Sequence, residues 1–133
     1  MNKLIIPGLL LLLTCSYPAF AAALPAGTPL QAPTMNIEGT ANSIMSKLDK
    51  ALMLTDKQKP RLLTIVTNFL RQKTALQPLQ QSNPKAYNTK MNSMQNGLRT
   101  KLKSLLTLSQ YNSYLQLKPK TYDVTDVLSH IFY

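Results

Sequence analysis

From Ile37 to Leu52 the apolar residues Ile37, Ala41, Ile44, Met45, Leu48, Ala51 and Leu52 recur at i, i+4, i+7, i+8, i+11, i+14 and i+15, the stripe of an amphipathic helix. Asn42, Ser46, Lys47 and Lys50 fall on its wet side. Gly39 is a poor helix former, so the expected start is near Thr40. A second stripe, Leu62, Ile65, Val66, Phe69 and Leu76 with Leu63 and Leu70 beside it, predicts a helix that stops near Pro78, and Pro60 predicts an irregular first turn. The stretch PLQQSNP, 78–84, reads as a turn-rich connector in which Asn83 caps and Pro84 takes the first position of a third helix. That helix carries Tyr87, Met91, Met94, Leu98, Leu102 and Leu105, with Gly97 weakening it locally. A short fourth helix runs through Tyr111, Tyr114 and Leu115 to Lys118 and Pro119. In the tail Val124, Val127, Leu128 and Ile131 sit at i, i+3, i+4 and i+7 and predict a last helical turn or two, a short strand being the alternative. The expected class is all-α, a small hairpin or bundle of about four helices spanning 37–133.

Two junctions between these helices spell the same pattern, LTDKQ at 54–58 and LTLSQ at 106–110. In each, a threonine fit for an N-cap is followed three residues on by a glutamine, so Thr55 with Gln58 and Thr107 with Gln110 form capping boxes, each behind the same leucine, Leu54 and Leu106. Asp56 complements the dipole of the helix it opens. A single box is common; two that bracket a helical hairpin, with Tyr111 beside the second glutamine, carry more information.

This placement resembles the Spy/CpxP family of exported proteins, in which the LTxxQ motif occurs twice at matching helix junctions. The resemblance spans about 40–118 and rests on Leu54, Thr55, Gln58, Leu106, Thr107 and Gln110, while Pro60 and the apolar extension after Pro119 depart from it. It implies a thin, curved, antiparallel homodimer of helical hairpins acting without ATP as a periplasmic chaperone or envelope-stress adaptor. It also leaves open a signalling adaptor docked on a sensor's external domain, or a metal-responsive sensor. The motif residues themselves are read as structural caps. Independently of the family, two long amphipathic helices in so short a chain favour pairing with a second copy.

Ahead of the helices, MNK, an apolar run broken by Pro7 and Gly8, and an A-x-A at Ala19-Phe20-Ala21 read as a secretory signal peptide, 1–21, cleaved after Ala21 to Ala23. The run is shorter than the ~20 residues of a membrane span. Lipoprotein processing at Cys15 is the alternative, with Thr14 standing where such boxes carry a small residue. Residues 22–36, with three prolines and no charge, read as a flexible leader.

Composition narrows the function. The formal charge is +10, and loss of Lys3 with the leader lowers it by one. Cleavage also removes the one cysteine, excluding disulfides and thiolate chemistry from the mature chain. One histidine, His130, and five scattered acids supply no catalytic pair, so no enzyme activity and no cofactor are expected. Zinc lacks ligands, and Met91 with Met94 suits core packing better than copper. Nucleic acid is not expected, because export argues against it and no binding-arm block of charge appears. The basic residues suit capture of acidic or partly unfolded proteins and weak contact with an anionic membrane surface. Arg61, Arg71, Lys73, Arg99 and Lys103 are the candidate client-binding residues.

Overall fold

The computed structural model describes residues 35–133; the expected signal peptide, Cys15 and most of the Pro-rich leader lie outside the described residues. Five helices form among them: α1 Ile37–Leu52, α2 Gln58–Ser82, α3 Pro84–Leu105, α4 Leu108–Gln116 and the single-turn α5 Ser129–Phe132. The class is all-α, and none of these helices is long and apolar enough to cross a membrane.

α1 starts three residues earlier than Gly39 suggested. Asn36 is its N-cap, and the Asn36 side chain accepts a hydrogen bond from the Gly39 backbone N–H at 2.9 Å. A Cβ on Gly39 would lie 2.9 Å from Asn36 Nδ2, so the glycine makes room for the cap that starts the helix. At this third helical position it spares the interior the usual glycine penalty. α1 ends at Met53, which adopts a left-handed conformation at φ 51° and returns its N–H to Asp49 O.

α2 opens on the irregular turn that Pro60 predicted. Thr55 and Gln58 make both arms of the capping box, Thr55 N–H to Gln58 Oε1 at 3.0 Å and Gln58 N–H to Thr55 Oγ1 at 3.3 Å, but regular helix begins only at Gln58. The late start puts Pro60 at the third helical position, where no intrahelical donor is needed. The expectation that α2 stops at Pro78 is corrected: the helix runs through it to Ser82. Proline removes its own donor and crowds the Thr74 carbonyl, yet residues after it can still donate to carbonyls behind them, as Asn83 does to Leu79 O. The connector shrinks to Asn83 alone. Its side chain accepts from Ala86 N–H at 3.0 Å, and Pro84 opens α3 as predicted.

α2 is the central helix, packed by α1 along one side and α3 along the other, with α4 reaching α1 and α3 and α5 reaching α2. The core joins Ala41, Ile44, Leu48 and Leu52 of α1 to Leu62, Val66, Phe69 and Leu70 of α2, Leu98 and Leu102 of α3, and Tyr114 of α4. Ala51, placed on the α1 stripe, is exposed. In the tail Leu128 and Ile131 are buried as the spacing required, whereas Val124 stays 69% exposed because only the last turn is helical.

Candidate functional site

The two L-T-x-x-Q copies meet in space. Leu54 and Leu106 enter the core side by side with the helix stripes. Gln58 and Gln110, 52 positions apart, pair amide to amide: Gln58 Nε2 donates to Gln110 Oε1 at 2.9 Å and Gln110 Nε2 donates to Gln58 Oε1 at 3.2 Å. Each also reaches the helix end of the other copy, Gln58 to Leu105 O at the close of α3 and Gln110 to Leu52 O at the close of α1. Each Oε1 takes the N–H of its own threonine, Thr55 or Thr107. Every donor and both lone pairs of each carboxamide are thereby used, a pattern that Glu cannot reproduce. The N-cap of α4, the turn that leads into α2 and the C-terminal ends of α1 and α3 close on one clasp, which fixes where the α2–α3 hairpin stands relative to α1 and α4.

That hairpin, 58–105, holds nine lysines and arginines and no Asp or Glu. The candidate cations divide by position. Arg71 is paired with Glu38 of α1 at 2.9 Å, and that bond holds the Glu38 carboxyl below its usual range. Lys73 does not face outward: its Nζ donates to the backbone oxygens of His130 and Tyr133, and burial pushes its pKa down. Lys73 is therefore an anchor of the tail, which corrects its place in the client-binding set. Arg99 is exposed beside Tyr114 and Phe132 on the tail side of α3, and Arg61 and Lys103 are exposed without an ion partner among the described residues.

Away from the tail, a groove runs along the seam of α2 and α3. Its deeper part, about 220 Å³, has Ile65, Phe69, Met94 and Leu98 as floor, and its polar walls include Asn68 and Ser93. It continues past Gln72 and Met94 into a shallower part of about 330 Å³ beside Leu76. Lys101 stands at one end and Lys90 at the other, both exposed and without an ion partner among the described residues. The pairing of Ile65 with Lys101 and of Leu76 with Lys90 follows from the antiparallel hairpin. Arg61 shares this side of α2, at i−4 and i−7 from Ile65 and Asn68.

Sequence reasoning missed Lys90 and Lys101 as groove residues. The available signal was their spacing, Lys90 four residues before Met94 and Lys101 four after Gly97, on a helix whose glycine no turn explains. Met94 lines the groove and Met91 is buried. No three His, Cys, Asp or Glu residues converge among the described residues. Comparison with family models, curated proteins and solved structures finds no match to this chain.

Proposed function

We propose that this is an exported protein that binds partly unfolded, acid-bearing polypeptides without ATP, in the manner of the Spy/CpxP family that its paired L-T-x-x-Q motifs resemble. The observation that carries the reading is the acid-free hairpin: nine cations, no carboxylate, and an open groove whose floor is apolar and whose ends are Lys90 and Lys101. Such a surface attracts acidic chains at long range and offers their apolar side chains a place to settle, two properties that a transient binder combines. Export rests on the leader at 1–21, and weak contact with anionic membrane follows from the same charge. A homodimer belongs to this reading: Met53 and Leu108, 84% and 73% exposed, are apolar side chains near the clasp that a second copy would cover.

Suppression of aggregation of an acidic client is the test. Reversing Arg61, Lys90 and Lys101 to Glu is expected to abolish protection at low salt while leaving the melting temperature within a few degrees of the parent. Full protection by this variant would overturn the reading. Light scattering at micromolar concentration is expected to show a dimer, and a monomer throughout would remove that part.

A further inference from the structure

Gly97 sits in the middle of α3, where glycine is disfavoured relative to alanine, and nothing local explains it. No described glycine has a positive φ, and a Cβ built on Gly97 would meet no atom within 4 Å. What its missing side chain leaves is space, the deep part of the groove over Ile65, Phe69, Met94 and Leu98. The lysines stand at fixed distances from it. At 1.5 Å per helical residue, Lys101 is about 6 Å along the groove in one direction and Lys90 about 10 Å in the other.

We propose that this groove reads register in an extended acidic segment of another polypeptide. One large apolar side chain sits in the socket over Gly97, one carboxylate two residues away meets Lys101, and another carboxylate four residues away on the other side meets Lys90. An extended strand places same-side residues at steps of about 6.6 Å, so these offsets fall at about 6.6 and 13 Å, and the flexible lysine stems close the remaining gap. Asn68, Gln72 and Ser93 offer amides and a hydroxyl to the strand's backbone. The inference rests on the binding function proposed above and adds the geometry of what is bound.

The chain's own charges decide that the occupant is foreign. Four of its five carboxylates are held within it, Glu38 by Arg71, Asp49 by Lys59, Asp126 by Lys47 and Asp123 by the Thr125 hydroxyl and N–H, while the fifth, Asp56, is fully exposed and 3.6 Å from Lys59. A second copy laid on this face would oppose lysine to lysine. The groove's ends call for two carboxylates flanking one apolar side chain, a pair that Asp56, with no other Asp or Glu between 50 and 122, does not supply, so the occupant is another polypeptide.

The experiment uses the full chain and a labelled, end-blocked peptide, Asp-Ser-Leu-Ser-Thr-Ser-Asp, against a scrambled peptide of equal composition, read by fluorescence anisotropy. The in-register peptide is expected to bind about tenfold more tightly than the scrambled one. Gly97→Leu fills the socket and is expected to remove that preference without lowering the melting temperature. Gly97→Ala, which adds a single methyl to the socket, is expected to reduce that preference by less than Gly97→Leu does and to raise the melting temperature. Equal binding of the two peptides, or undiminished preference in Gly97→Leu, overturns the inference. If both peptides bind equally and Lys90→Glu with Lys101→Glu weakens both, the general electrostatic reading stands and only the register falls; if neither peptide binds, the register falls and the aggregation assay decides the wider reading.

Discussion

One side of the α2–α3 hairpin is covered and the other is open, and the chain spends its polar groups differently on the two. On the covered side the Phe132 ring stacks on Tyr114 at 4.8 Å, and Gln95 Nε2 donates to Phe132 O at 3.4 Å. Lys73 holds the backbone oxygens of His130 and Tyr133, and the Tyr133 hydroxyl donates to Pro119 O at 2.6 Å. Lys47 reaches Asp126 at 2.9 Å, and the Lys118 ammonium lies 4.9 Å from the centre of the Tyr133 ring. On the open side Lys90 and Lys101 have no ion partner among the described residues, and the apolar floor between them has only polar walls above it. The contrast separates two tasks. Charge that is engaged inside the chain belongs to stability, and charge left unpaired beside exposed apolar surface is available to a partner.

The largest expected effect lies on the covered side. Tyr114 is buried to 2% exposure under Phe132, and Tyr114→Ala is expected to cost about 3–5 kcal/mol in urea unfolding, with capture by the molecules still folded unchanged. A Tyr114→Ala protein that keeps its stability but loses capture would invert the comparison. Next comes the clasp. Gln58→Glu keeps the shape but replaces two donors with acceptors facing Leu105 O and Gln110, and is expected to cost about 2–3 kcal/mol, more than the roughly 0.5–2 kcal/mol of Thr107→Ala. Equal losses from the two would mean that the glutamine acts only through its own box.

The smallest effect is in pH. His130 has its pKa lowered by burial and by the Lys73 charge, against a smaller opposing pull from Asp126. A depressed value means that the unfolded chain binds the proton more readily, so this stability is complete above about 6.5 and is lost as pH falls towards the folded value. Asp126, lowered by its Lys47 bond, acts further down, below about 4. Between pH 7 and 5 the melting temperature is therefore expected to fall slightly through His130 alone, and His130→Gln to flatten the slope. No histidine or carboxylate lines the groove, so capture is expected to stay level; a parallel loss of capture would tie the open side to the tail.

Much of this arrangement could be read from sequence because it is local. The stripes of α1 to α4, the two capping boxes and the Asn83–Pro84 start of α3 each depend on residues within one or two turns of each other. Boundaries that turn on a cap or on proline's exact position were harder. Asn36 overrides Gly39, and the donors beyond Pro78 still find carbonyls. The amide pair of Gln58 and Gln110, and the turn of Lys73 towards the tail, join residues more than fifty positions apart. Nothing in the local pattern distinguishes such a lysine from its solvated neighbours, so the sequence locates a cationic hairpin without telling which of its lysines turns inward.

The central claim is that the unpaired cations of the open side govern capture. Its most direct test is the association rate of an acidic, unfolded client measured by stopped flow from 20 to 300 mM salt. The account predicts a rate that falls steeply over this range for the parent and is low and nearly flat for the variant with Arg61, Lys90 and Lys101 reversed to Glu. A parent rate that is independent of salt, or a reversed variant that associates as fast as the parent at 20 mM, would contradict it.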